Sequence, residues 1–89
     1  MKIEQFKKMS KKAESLSNIE FRLYTHIFFN TIWVEKTEMV LPIKSLKSYG
    51  SDKTIIKALA SLRKKQFISR KSQEFNGLKQ AYTYYIINL

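Results

Sequence analysis

The chain has 89 residues, with 17 Lys or Arg, 7 Asp or Glu, one His and no Cys, and a formal net charge of +10 at pH 7. This length suits one domain with a small core, and the proportions of 44% hydrophobic and 27% charged residues are typical of a folded chain. The composition excludes disulfides and thiolate or His-rich metal sites, and the apolar runs are too short to cross a bilayer.

The positive charge is concentrated in the second half of the chain. Residues 43–89 carry ten Lys or Arg and two Asp or Glu, a net of +8, whereas residues 1–42 carry seven and five, a net of +2. A basic half of this kind indicates a polyanionic partner, with nucleic acid favoured over an anionic membrane. The alternative is that the lysines only keep the surface solvated.

Two helices are predicted in the first half. Residues 2–14 place apolar side chains at three- and four-residue steps. A second helix is predicted over residues 18–34, because Ser17 and Glu20 match a capping box. This helix is apolar around most of its circumference, so it needs cover on more than one side. Either the N-terminal helix provides that cover, or the helix forms a homodimer interface.

The middle of the chain predicts two short elements and a third long helix. Residues 39–41 predict a strand, and residues 43–49 predict a short helix that Gly50 ends. Ser51 is the expected N-cap of the next helix, 51–66. Its inward stripe is Ile55, Ala58, Leu59 and Leu62, and its outward side is Lys53, Lys57, Ala60 and Lys64, with Thr54 and Ser61 on the flank.

From Phe67 the apolar period changes to two, which predicts strands at 67–75 and 78–89. Asn76-Gly77 between them is a strong hairpin signal, because a type I′ turn needs positive φ at both central residues. The predicted order is therefore helix, helix, short strand, short helix, basic helix and β-hairpin.

This order, and one stretch of sequence, resemble the winged helix-turn-helix superfamily over residues 17–89. Many members carry Ser-x-x-Thr-Val-x-Arg-Ala-Leu-x-x-Leu-x-x-x-Gly-Leu-Ile. The chain departs from this pattern at Gln66, where a Gly normally ends the helix. The matching positions here are Ser51, Thr54, Ile55, Lys57, Ala58, Leu59, Leu62, Phe67 and Ile68.

The resemblance implies an α+β fold, with a three-helix core, a C-terminal β-hairpin wing and an N-terminal helical extension at 1–16. The crowded aromatic helix also resembles plasmid and phage replication or regulatory proteins of AT-rich bacteria. A cytoplasmic, homodimeric, sequence-specific binder of double-stranded DNA is expected, acting as a transcriptional regulator or replication factor. No membrane association is expected.

The residues expected to contact DNA share positive charge or a hydroxyl group on the outward side of the basic helix and its surroundings. The helix would read the major groove, the wing would follow phosphates or enter the minor groove, and the preceding short helix would touch the backbone. The residues expected to contact DNA are Lys44, Lys47, Ser51, Lys53, Thr54, Lys57, Ser61, Lys64, Arg70, Lys71 and Lys79.

Three alternatives stay open. The basic face could meet an acidic protein, because fold alone does not decide function. Tyr82 and Tyr84 could stack on unpaired bases of single-stranded DNA or RNA. Ile56, on the flank of the basic helix, either touches a thymine methyl or packs at the edge of the core.

Enzymatic activity, a cofactor and a metal site are not expected. The chain has no paired carboxylates at useful spacing and no Gly-rich phosphate loop. The single histidine, His26, lies in the apolar helix, where a partly buried side chain with one hydrogen bond is expected.

Overall fold

The computed structural model describes the backbone of residues 2–75 and 78–89, and the side chains of residues 3–42, 46–71 and 82–89. These residues form an α+β fold with three α-helices and one antiparallel sheet, which confirms the predicted class. The helices are α1 (Lys2–Lys12), α2 (Asn18–Asn30) and α3 (Asp52–Lys64), and the strands are β1 (Met39–Leu41), β2 (Ile68–Phe75) and β3 (Leu78–Ile86). Short 3-10 helices occupy Ala13–Ser15, Ile32–Val34 and Ile43–Tyr49.

The sheet has the strand order β1-β3-β2, with β3 in the centre. The strand β1 pairs only with residues 82–84 of β3, so the hairpin extends beyond it as two strands. A register shift lies between residues 73 and 74 of β2. The three predicted strands are confirmed, although β3 ends at Ile86 instead of residue 89. The predicted Asn76-Gly77 turn lies outside the described residues.

The helix α2 begins as predicted but ends early. Ser17 Oγ accepts a hydrogen bond from the backbone N–H of Glu20, and the Glu20 carboxylate accepts one from the backbone N–H of Ser17, which confirms the capping box. The prediction that this helix continues to residue 34 is wrong. At Thr31 the backbone leaves helical geometry (φ −124°, ψ −90°), and the hydroxyl donates to the Ile27 carbonyl at 2.7 Å. Such bonds compete with the regular helical ladder.

The N-terminal helix covers one side of α2. The ring centroid of Phe6 lies 6.3 Å from that of Phe28, 5.9 Å from that of Phe29 and 6.0 Å from that of Trp33. Met9 and Ala13 are buried in the same core as α2. Of the two ways to shield the apolar helix, intramolecular packing by α1 is therefore used on this side.

The chain leaves α3 through a backbone conformation that glycine adopts most easily. Gln66 has φ +64°, in the left-handed region, at the position where the resemblance expects Gly. Its carbonyl accepts a hydrogen bond from Asn88 Nδ2 at 3.0 Å. The same C-terminal segment accepts hydrogen bonds from Lys12 Nζ through the carbonyls of Ile87 (3.3 Å) and Asn88 (2.8 Å). These bonds join the end of α1 and the C-terminal segment to the exit of α3.

Candidate functional site

The helix α3 separates an apolar side from a basic side. Ser51 Oγ accepts a hydrogen bond from the backbone N–H of Thr54 at 3.3 Å, which confirms Ser51 as N-cap. The predicted inward stripe is buried in full in the hydrophobic core: Ile55, Ala58, Leu59 and Leu62. The helix therefore has one fixed orientation about its own axis.

The opposite side of α3 carries a row of exposed lysines, Lys53, Lys57 and Lys64, which we call the lysine row. Within the part of the chain that the structure describes, none of the three forms an ion pair. Only the small side chain of Ala60, also exposed, lies among them. At 1.5 Å per residue the row spans about 16 Å, so its ammonium groups can reach separate anionic groups.

On the side of α3 that faces the hairpin, two arginines line a cleft. Arg63 and Arg70 are half-buried, and the Arg70 guanidinium carbon lies 3.7 Å from the centroid of the Tyr82 ring. This is cation–π stacking. Ile56, at the mouth of the same cleft, is 53% exposed. Of the two roles that the sequence left open for Ile56, this exposure favours an outward contact over packing at the edge of the core.

On the side of α3 that faces α2, polar groups are already engaged. Ser61 Oγ donates to Glu20 Oε2 at 2.6 Å, and Lys65 Nζ lies 3.1 Å from the same oxygen. Burial by itself raises the pKa of Glu20, but the hydrogen bonds from Ser61, Ser17 and Lys65 outweigh it and lower the pKa to about 2. Ser61, which was predicted to contact DNA, is thus held by a carboxylate within the fold.

The remaining predicted residues are distributed around this helix. Lys47 is exposed on the 3-10 helix before α3, and Ser51 and Thr54 are exposed at the start of α3, where their hydroxyl oxygens lie 2.9 Å apart. Lys71 ion-pairs with Glu38 at 2.9 Å. Because side chains alternate along a strand, Lys71 lies on the opposite face of the sheet from Arg70. The side chains of Lys44 and Lys79 lie outside the described residues.

The tyrosines of β3 do not form an open stacking surface. Tyr84 is buried in the core, with 1% of its surface exposed. Tyr82 is half-buried, and the Arg70 guanidinium covers one face of its ring. Tyr85 points to the other face of the sheet by strand alternation. Tyr82 and Tyr84 lie on the same face of β3, and both line the cleft.

His26 is half-buried in α2, and its Nδ1 lies 3.3 Å from the hydroxyl oxygen of Tyr49. Burial lowers its pKa from 6.5. This matches the expected partly buried histidine with one hydrogen bond. Among the described residues, no group of three or more His, Asp or Glu side chains is arranged to hold a metal ion.

Sequence reasoning left Arg63, Tyr82 and Glu20 out of the residues expected at the basic surface. The helical angle of Arg63, close to that of Ile56, is a signal that points to the hairpin side. No comparable local signal predicts that Arg70 stacks on Tyr82, because that contact depends on strand pairing.

None of the helices in the described ranges combines the length and hydropathy that crossing a membrane requires. No protein-family model matches this sequence, and no curated protein or solved structure matches it either.

Proposed function

We propose that the chain is a winged helix-turn-helix protein that binds double-stranded DNA in a sequence-specific way. In this proposal α3 enters the major groove and the β2–β3 hairpin, as the wing, follows the phosphate backbone. The observation that carries the proposal is the lysine row, exposed and without an acidic partner in the described residues, directly opposite a fully buried stripe. A transcriptional or replication role, in a bacterial cytoplasm, is the biological setting that the resemblance suggests.

The dimensions of α3 support insertion into a groove. An α-helix with its side chains is about 10–12 Å across, and the major groove of B-DNA is about 12 Å wide. Ala60 leaves room for the helix to approach base edges between Lys57 and Lys64. The exposed N-terminal hydroxyls of Ser51 and Thr54 are suited to a phosphate near the start of the helix.

The charge distribution also supports a polyanion. Lys65 and Lys71 are paired with Glu20 and Glu38, so their charges are partly neutralised within the fold. Among the described side chains, the lysine row, Arg63 and Arg70 have no ion pair. These five cations lie on the outward side of α3 or on its hairpin side.

Selection of bound duplexes from a random pool, with a salt titration of the selected duplex, tests this function. If the protein contacts about 6–10 phosphates, raising the salt concentration from 50 to 200 mM should reduce the affinity for the duplex by a factor of roughly 10³–10⁵. Failure to bind any duplex at low salt would reject the proposal and favour an acidic protein partner. Preference for unpaired oligonucleotides would favour the single-strand alternative, which the burial of Tyr84 and the Arg70 cover on Tyr82 make less suitable.

A homodimer through α2 and the N-terminal helix stays a prediction. Phe29 and Trp33, at 38% and 36% exposure, keep apolar surface on this side even though α1 packs there. Sedimentation of the free protein tests the association. Half-sites about 10 bp apart in the selected duplexes would support a two-fold dimer on DNA.

A further inference from the structure

The cleft between α3 and the hairpin has features of a binding site for a single small group. Its volume is about 290 Å³, and its walls come from three elements: Ile56, Leu59 and Arg63 of α3, Arg70 of β2, and Tyr82 and Tyr84 of β3. Small-molecule sites usually begin at about 300 Å³. The cleft therefore lies at the lower end of this range, which suits a ligand no larger than a single small group such as a sugar phosphate.

The charged groups of the cleft favour an anion. Neither Arg63 nor Arg70 has an ion pair within the described side chains, and two like charges on one cleft repel each other. A guanidinium donates its hydrogen bonds in its own plane. The stacking of Arg70 on Tyr82 therefore fixes the plane of the guanidinium without using its donors. An anion between the two arginines would relieve the repulsion and accept from both.

The other walls favour an apolar part attached to that anion. Ile56 presents exposed aliphatic surface at the mouth of the cleft, and the Tyr82 ring is half-buried within it. A simple inorganic anion would leave these surfaces uncovered. A sugar attached to the phosphate would cover them and remove their apolar area from water.

We propose that this cleft binds a nucleoside phosphate, with the phosphate shared by Arg63 and Arg70 and the sugar packed on Ile56 and Tyr82. The phosphate comes either from the backbone of a bound DNA strand or from a free nucleotide. The first source rests on the proposed function, whereas the second does not.

The DNA source is tested with a double-mutant cycle on the selected duplex. Arg63→Gln and Arg70→Gln should each weaken binding about 10- to 100-fold, and the double variant should lose little more than either single variant. The slope of log affinity against log salt should fall by about 0.9 in total, because one phosphate is lost. In the matched control, Lys47→Gln and Lys64→Gln remove contacts to separate phosphates, so their losses should multiply and the slope should fall by about 1.8.

The free source is tested by titrating the DNA-free protein with thymidine 5′-monophosphate and following backbone amides by NMR. Binding in the cleft should shift the amides of Ile56, Arg63 and Tyr82, and both arginine variants should abolish these shifts while Lys53→Gln retains them. Circular dichroism confirms that each variant is folded, and Arg63→Met and Arg70→Met, which also remove the charge, replace any glutamine variant that is not.

The two measurements separate the outcomes. The site is supported if the double-mutant cycle shows that Arg63 and Arg70 share one phosphate, or if the nucleotide shifts the amides at the cleft. The amide shifts support the site even if no duplex binds. Duplex binding with multiplicative arginine losses and no nucleotide shifts overturns the cleft and leaves the proposed function standing. No duplex binding and no nucleotide shifts overturn both.

Discussion

The carboxylate of Glu20, in the first turn of α2, lies 3.1 Å from the ammonium group of Lys65, at the end of α3. The same carboxylate accepts hydrogen bonds from Ser17 and Ser61. The side chain of Glu20 is 8% exposed, and its donors keep it charged despite burial. Glu20 therefore joins the start of one helix to the last turn of another and helps fix the orientation of α3.

Glu20 should make stability depend on acid pH. Its pKa falls from 4.5 to about 2 on folding, so its ionised form stabilises the fold above pH 4.5, and this contribution is lost as pH falls towards 2. The contribution is at most roughly 3 kcal/mol. Glu20→Gln should lower the free energy of unfolding at pH 7 by about 2–3 kcal/mol and flatten its decrease between pH 5 and 2.

Urea denaturation at a series of pH values measures this effect. Glu14→Gln, at an exposed carboxylate, is the matched control and should change stability by less than about 0.5 kcal/mol. An unchanged acid dependence in Glu20→Gln would show that other groups cause it.

Gln66→Gly should stabilise the protein. The left-handed conformation of Gln66 (φ +64°) costs a residue with a Cβ roughly 1–2 kcal/mol, while glycine adds some entropy to the unfolded chain. The net gain should be about 0.5–1 kcal/mol in thermal or urea unfolding. Gln5→Gly, in the exposed interior of α1, should instead destabilise by up to about 1 kcal/mol. Loss of stability in Gln66→Gly would indicate that the glutamine side chain stabilises this exit.

The lysine row should determine DNA affinity without stabilising the fold. Lys53→Ala and Lys57→Ala should each weaken binding of the selected duplex and change the sequence preference, because they lie on the side of α3 proposed to face the bases. Lys47→Ala should weaken binding evenly across sequences, as expected for a phosphate contact. Competition gel shifts with variant duplexes measure both effects. Equal behaviour of the three variants would contradict these separate roles.

His26 should titrate below pH 6.5 in the folded protein. Burial lowers its pKa, so the folded state disfavours the protonated ring. The contribution of neutral His26 to the free energy of unfolding should be complete above pH 6.5. It should be lost as the pH drops through the pKa of His26 in the folded state. Because the chain has one histidine, its ring protons can be followed by NMR without assignment. A folded-state midpoint at or above 6.5 would contradict the burial argument.

Local patterns in the sequence predicted much of the fold. The Ser17–Glu20 capping box, the Ser51 N-cap and the buried stripe of α3 are confirmed because each depends on residues within one or two helical turns. The two strands of the hairpin follow from the change of apolar period. The end of α2 at Asn30 was not predicted. The apolar pattern continues beyond Asn30, but the backbone leaves helical geometry at Thr31.

The sequence by itself determined that α3 has one apolar and one basic side, since the helical repeat fixes which side chains share a face. Only the tertiary structure decided which cations stay available. Lys65 pairs with Glu20 from 45 residues away, Lys71 pairs with Glu38, and Arg70 stacks on Tyr82 in the cleft that Arg63 also lines. These contacts depend on how the helices pack and on the exact register of the paired strands, and the spacing of residues along the chain fixes neither.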